Sequence, residues 1–443
     1  MANPSRYDLR EMTPIQTEIH INKLDVWNTV FADVFEPTAR NSSITVPMQS
    51  IKTNKGIVDY KLDENGDYLI NSFLVQEIPR VKVAPEYLDT VQIKWCDYFG
   101  INLFKTGILK SDDVVINTLT PITLFHYMKT LMDPRILPKF LRLIGHKPEL
   151  TTWSSELPED MLGIHLPWYY SLHLSRAIPM FLMKDKDKII HRFEFLPIDK
   201  LLRMRMKDDE GEWKEVPFNN LYIQYNTSND KYLQMPEMYA RISSIDDDER
   251  NDMKCECKQN KGYSRFIDDF IVIQSTEEFS EGQTGTIHLN YNAPCKAISF
   301  LATNTQFIKH NNYCNFTTED DDWPITHYSL SYGNAVRIPE TSIFLNEIDT
   351  LNILPSNIDS KGICTHCFDP YPTLTSACSG PVFDSKLDTV FKVQFKDPKN
   401  IKNIQRYTLV VVLWVTKKLL LKPEFLNSDY HKVSIEPDMS SVN

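Results

Sequence analysis

The sequence predicts an all-β protein built of two consecutive strand-rich sandwiches, and three observations predict it. Short segments that alternate apolar and polar side chains, or are apolar throughout, recur along the whole chain. One stretch, Leu166 to Leu202 (LPWYYSLHLSRAIPMFLMKDKDKIIHRFEFLPIDKLL), is heavy in aromatics and contains no glycine. A charged run with one glycine, Arg203 to Glu215 (RMRMKDDEGEWKE), lies between two strand-rich blocks and is expected to be a linker over 206–215.

In chain order, residues 1–17 are polar with two prolines and predict an extended N-terminal arm. The first block, 18–205, opens with a strand at Ile44-Thr45-Val46, and Tyr68 to Val83 holds one or two more. Val91 to Trp95 is the cleanest, because Val91, Ile93 and Trp95 share a face. Gly100 breaks the chain, and Ile101 to Ile108 is expected to resume as strand. Thr120 is a helix N-cap with Pro121 in the first turn, and Leu124, Phe125, Met128, Leu131 and Met132 form one apolar stripe. Pro134 and Pro138 bracket a turn, and Phe140 to Ile144 predicts a second, short helix.

The stretch from Leu166 completes the block. Trp168, Tyr169 and Tyr170 are read as a strand whose bulk fills a sheet-on-sheet core. Pro179 stops any helix begun at Ala177, and Lys184 to Asp187 is a solvated turn. Ile189 to Phe195 is a strand with Phe193 and Phe195 on one face.

The second block, 216–430, predicts strands at Leu221–Tyr225, Phe266–Ile273, Thr286–Tyr291, Ala297–Ala302, Val390–Lys396 and Tyr407–Thr416. Phe391, Val393 and Phe395 alternate with polar neighbours, which leaves one face wet. Tyr407 to Val415, which includes Trp414, is apolar throughout, so both its faces should be covered. Residues 431–443 form a C-terminal tail.

Composition excludes several classes. A net charge of −11 argues against direct binding of nucleic acid, which needs clustered Lys and Arg. Only 13 of 443 residues are glycine, well under the usual level of about 7%, and neither a P-loop nor a GxGxxG occurs. The start, MANPSRYDLREM, has no apolar core of a signal peptide, so the chain is expected not to be secreted. In that setting the eight cysteines read as thiols, and the sequons at Asn41, Asn226 and Asn315 read as chance matches.

Candidate chemistry is sparse. Cys364-Thr365-His366-Cys367 with Cys255 and Cys257 would make a four-thiolate zinc site. The single residue between Cys255 and Cys257 and the long separation of the pairs argue for plain thiols instead, with no metal and no cofactor. None of the eleven histidines is followed two positions later by Asp or Glu, as a cupin metal site requires. The acidic runs Asp246 to Glu249 and Glu319 to Asp322 lack the spacing of a calcium loop and read as solvated tips. No nucleophile–base pair stands out, and the chain is not expected to be an enzyme.

The order of motifs resembles the double jelly-roll major capsid proteins of the nucleocytoplasmic large eukaryotic DNA viruses. Leu166-Pro167-Trp168-Tyr169-Tyr170, then Ala177-Ile178-Pro179-Met180, then the strand ending in Phe193 and Phe195 follow that family's sequence of elements. Trp95 to Gly100 resembles its aromatic-to-Gly pattern with one extra residue, and Lys110 to Asp113 stands where the family has a Gly-rich turn. In the second block, Ser360 to Cys364 around Gly362, Ser379-Gly380 and Ser385 to Asp388 align, while Phe383 replaces the family's Asn. The closing strand around Trp414 falls in place, so the likeness spans roughly residues 65 to 420.

The resemblance implies two eight-stranded antiparallel jelly rolls, over 18–205 and 216–430. It further implies a homotrimer with a pseudo-hexagonal outline that meets neighbouring capsomers in an icosahedral virion shell, assembled in the host cytoplasm. Minor capsid or penton proteins and an internal membrane layer are the other implied partners. The loops Asn226–Arg265 and Gln306–Thr341 are expected to be outward towers. The rival readings are a poxvirus-like trimeric assembly scaffold, a β-sandwich receptor- or glycan-binding spike, and an undetected metal-dependent enzyme.

Overall fold

Alternation within each strand sorts the first half into two facing sheets. The computed structural model describes residues 42–54, 56–62, 66–111, 114–183, 189–225, 231–260, 262–332, 335–341, 362–369, 372, 380–383, 388–399, 404–422 and 432–436. Its first eight main strands are β1 (Ser42–Pro47), β2 (Ile57–Lys61), β3 (Tyr68–Ile78), β4 (Phe104–Ser111), β5 (Val114–Leu119), β6 (Asp160–His165), β7 (Ile189–Phe195) and β8 (Glu237–Ser244). One sheet runs β1-β8-β3-β6 and the other β2-β7-β4-β5, with Gln49–Asn54 added at the β2 edge. In β7 every second residue is buried, so Phe193 and Phe195 enter the core beside Phe104 and Tyr60.

The second half repeats the arrangement. Its strands are β9 (Tyr263–Ser280), β10 (Thr284–Leu289), β11 (Tyr291–Asn304), β12 (Ile325–Tyr332), β13 (Ala335–Thr341), β14 (Ile363–Cys367), β15 (Thr389–Phe395) and β16 (Arg406–Lys422). They pair as β9-β16-β11-β14 and β10-β15-β12-β13, the same order as in the first half. Both halves are jelly rolls: in each, all the pairings are antiparallel and the second strand pairs with the seventh across the sandwich from the first and eighth.

Several expectations differ from this architecture. The run 206–215 is the turn region of a hairpin between Leu202–Lys207 and Trp213–Val216, not an open linker. Its charges fold onto one another, with Arg203 holding Asp97 and Glu215, and Lys214 holding Asp208 at 2.5 Å. The last strand of the first jelly roll, β8, lies beyond the expected boundary at 216. The span read as a tower from Asn226 to Arg265 therefore contains β8 and a helix, α2 (Asp247–Gln259), that leads into β9. Gln306 to Thr341 likewise holds β12 and β13. Ile101 is in a helical turn (Phe99–Asn102), and strand begins only at Phe104. Within the expected tail, Lys432–Glu436 pairs with the end of β16.

Trp168, Tyr169 and Tyr170 are buried as expected, but in a 3-10 turn (Tyr169–Ser171) rather than a strand. Pro167 removes a ladder donor, and the Tyr170 hydroxyl finds partners distant in sequence, 2.7 Å from Ser72 Oγ and 2.8 Å from His191 Nε2. Pro179 sits in a two-residue strand beside the start of β3. The expected turn at Lys184–Asp187 and the arm 1–17 lie outside the described residues.

Helix α1 (Pro121–Thr130) forms as its sequence directs. Thr120 and Thr123 exchange cap hydrogen bonds, and Leu124, Phe125 and Met128 are buried. The register places the connections after β3, β5 and β7 at one end of the first jelly roll, because Ile78 pairs with Asp160 and Phe195 with Phe104. There they build a cap of two small sheets, Val81–Val83 with Ile223–Tyr225 and Glu156–Leu157, and Val91–Trp95 with the 202–216 hairpin.

Candidate functional site

Two places among the described residues combine both halves: the buried junction between the jelly rolls and a cleft between the first half's cap region and the segment 305–324 of the second. At the junction, the face of β16 opposite the second core carries Val412 and Trp414, packed with Phe270, Ala297 and Cys367. Ile122 and Leu131, from the helix region of the first half, close over them. Leu409, Val411, Leu413 and Val415 enter the second sandwich. The strand expected to be covered on both faces is thus covered by its own sandwich on one side and by the first half on the other.

Charged residues cross the same junction. Arg176 of the first half donates to Asp268 of β9 at 2.8 Å, and Lys296 of β11 approaches the other Asp268 oxygen at 3.1 Å. The Lys296 ammonium also lies 5.5 Å from the Trp414 ring centroid. Next to it, Asp269 takes hydrogen bonds from Asn117 Nδ2 of β5 and Lys417 of β16, and Asn117 Oδ1 accepts from the Tyr169 amide. Burial raises the Asp269 pKa, against the pull of Lys417. His126 of α1 meets Ser299 Oγ at 2.6 Å, and burial lowers its pKa to about 4.

Sequence reasoning missed this polar set. Its signal was present: Asp268 and Asp269 interrupt an apolar strand (FIDDFIVI), and Lys296 precedes the apolar run AISF. Charges inside strands of that kind need buried partners.

The sequence-predicted residues fall in separate places. Trp95 is buried edge-on against Phe99, and a Cβ on Gly100 would meet Ile164 and Ile144, so that helical turn packs tightly on β6. Leu166 and Pro167 lie in the first core. Gly362 adopts a φ of +82° beside the Phe316 carbonyl, and Gly380 lies directly against the Cys295 carbonyl. Phe383 fills the second core beside Tyr332 and Phe368. Ser379 lies outside the described residues, as do 360, 361 and 385–387 of the other quoted motifs.

Of the four zinc candidates, Cys364 and Cys367 occupy opposite faces of β14, one in each apolar cluster. Cys255 is exposed on α2, and Cys257 is buried in the first core. Among the described residues no group of three or more His, Cys, Asp or Glu is placed to hold a metal ion.

The cleft, open to solvent, offers about 500 Å³ between the first half's cap region and the segment 305–324 of the second half. Asn311 seats that segment, its Nδ2 donating to the Asp199 and Leu202 carbonyls at 2.7 Å. Phe316 meets Phe125 edge-on. On the opposite wall Tyr98 stacks flat on His146, with centroids 4.1 Å apart and planes at 6°. Burial pushes the Cys314 thiol at its floor up to about 12.

No protein-family profile and no curated protein matches the sequence. Solved structures do match. The chain is similar to the Faustovirus major capsid protein (TM-score 0.68, 10% identity, 87% of this chain and 91% of that one). It is also similar to a PBCV-1 virus capsid chain (TM-score 0.62, 12% identity, 87% and 96%). A third similar structure is the mavirus major capsid protein (TM-score 0.53, 8% identity, 89% and 90%). At these identities what is shared is the fold, the double jelly roll.

Proposed function

We propose that the chain is a major capsid protein, of which three copies form a pseudo-hexagonal capsomer and many capsomers tile an icosahedral shell. The observation that carries this reading is the junction. Two jelly rolls of the same strand order are fused by a dry face of β16 and by the buried Arg176–Asp268–Lys296 set, so each chain is one block with two similar walls. Three such blocks present six walls, and a six-walled unit packs with six neighbours, so a single gene product can pave a large facet. The fold shared with the capsid proteins of Faustovirus, PBCV-1 and mavirus supports the same reading.

The role is structural, in the virion, with assembly in the host cytoplasm. The partners are other copies of the chain, minor capsid or penton proteins, and an internal membrane layer beneath the shell. Light scattering of the purified chain tests this directly. Three times 51.6 kDa, stable on dilution, is expected, together with a six-lobed outline by electron microscopy. A well-folded monomer at micromolar concentration would overturn it. A trimer nearly absent from mature particles would point to a shed scaffold instead.

A further inference from the structure

We propose that the outer face of the sheet β1-β8-β3-β6 is a docking surface for a second copy of this chain, which meets it with the β13 edge of its second jelly roll. This surface presupposes the capsomer reading and locates the contact between copies. The two halves share one strand order, so each sheet face in one has a counterpart in the other. In the second half, the outer face of β9-β16-β11-β14 carries Phe270, Ala297, Val412 and Trp414. All four are buried, with Ile122 and Leu131 of the first half closing over them. The counterpart face of the first half carries Phe73 and Val75 of β3, Tyr239 of β8, and Met161 and Gly163 of β6. Their neighbours along each strand are buried in the first sandwich, which turns these five residues outward.

Among the described residues no such cover lies over this second face. Phe73, Val75, Tyr239 and Met161 belong to none of the three apolar clusters of the fold. Phe73 stacks on Tyr239, with centroids 5.5 Å apart and planes at 13°, so the two rings form a flat platform. Met161 is 63% exposed, and a Cβ on Gly163 would meet only Leu143, at 3.7 Å. Glu77, Glu237 and Arg241 stand exposed at the rim. An apolar centre with a charged rim is the make-up of a contact between proteins.

The internal junction identifies the occupant. There the edge strand β5 lies against β9, with Asn117 donating to Asp269. The counterpart of β5 is β13, and both are irregular at the same point. Asn117 lies opposite Leu109 and Val115 opposite Lys110 in the first half; Ile338 lies opposite Leu330 and Val336 opposite Ser331 in the second. Ile338 thus holds the register position of Asn117, and Val336 on the same strand is 61% exposed. The strand that β13 of a second copy would face is β1 (SSITVP), which has no acid where β9 has Asp268 and Asp269. An amide serves the acidic strand within the chain, and an apolar residue suits the uncharged strand between chains. A head-to-tail contact of this kind, repeated from copy to copy, generates a closed ring when its rotation closes.

Light scattering of the full chain tests the surface. The wild type is expected at three times 51.6 kDa and Met161→Glu/Gly163→Glu at the mass of one chain. Two carboxylates buried in the contact without partners would break it. Both positions are open in the single chain and Gly163 has no left-handed φ, so the circular dichroism of the variant should match the wild type. A variant that stays trimeric overturns the docking surface and leaves the capsomer reading standing, whereas a monomeric wild type overturns both. A second measurement needs no variant and decides the matter if the variant does not fold. In the wild-type trimer, Met161 should be oxidised by hydrogen peroxide about tenfold or more slowly than in the urea-unfolded chain. Oxidation at equal rates would overturn the docking surface.

Discussion

Arg176 and Asp268, ninety-two positions apart, meet at 2.8 Å with side chains only 4% and 5% exposed, and they join the two jelly rolls. Lys296 lies on the same carboxylate. Asp268 therefore lies between two buried cations, and the two ends of the pair are unequal. Asp268→Asn should destabilise by about 3–5 kcal/mol, since it removes the carboxylate that both cations share, whereas Arg176→Met leaves Asp268 paired with Lys296 and should cost less. Denaturant midpoints of the two variants check the order. Equal losses would mean that Lys296 does not share the carboxylate.

Stability should fall with acid through His126. Its folded pKa, about 4, lies below the unfolded value of about 6.5, so the unfolded state binds the proton more readily. The stability it permits is complete above pH 6.5 and is lost as pH falls from there toward 4. Asp269, whose pKa burial raises, acts in the opposite sense, so the His126 contribution must be read as a difference between variants. His126→Gln, which can still reach Ser299, should flatten the stability profile between pH 6.5 and 4 relative to wild type. Parallel profiles for the two proteins would refute this.

Gly362→Ala should destabilise the second jelly roll by about 1–3 kcal/mol or more, while Gly211→Ala should cost only the left-handed backbone penalty of about 1 kcal/mol. Both glycines have φ above +80°. A Cβ at 362 would sit 2.2 Å from the Phe316 carbonyl oxygen, whereas at 211, in the hairpin turn, nothing lies within 4 Å. Thermal melts of the two variants separate the clash from the conformational cost.

The purified chain should carry no stoichiometric zinc. Cys364 and Cys367 face opposite sides of β14, and a tetrahedral site cannot be closed from there without breaking that strand. About one zinc per chain by elemental analysis, lost in Cys364→Ser/Cys367→Ser, would contradict this.

If the proposed trimer forms, association between trimers should grow with salt. Each chain carries −11, so a trimer carries three times that, −33, and like charges oppose close approach at low ionic strength. Screening shortens the Debye length from about 30 Å at 0.01 M to about 10 Å at 0.1 M. Light scattering across that range should show mass rising above the trimer. A mass that falls with salt would mean that attractive ion pairs dominate the contact.

The sequence by itself determined the strands whose side-chain period is two, because alternation is a local property that the pleat enforces residue by residue. Ile189–Phe195 and, one residue out of place as Val390–Lys396, the strand Thr389–Phe395 were legible for that reason, as were the cap of α1 and the doubly covered β16. Tertiary structure decided what depends on a distant partner. Glu237–Ser244 alternates no less than its neighbours, yet its place as the last strand of the first jelly roll comes from pairing with Tyr68–Ile78. The charged run 203–216 reads as solvent-loving until Arg203 finds Asp97. Trp168 to Tyr170 has strand-like composition, but Pro167 and the long-range partners Ser72 and His191 turn it into a buried 3-10 turn. The junction and the cleft belong to the same class: Arg176 with Asp268, and Tyr98 with Asn312, are ordinary residues whose chemistry exists only once two halves of the chain are brought together.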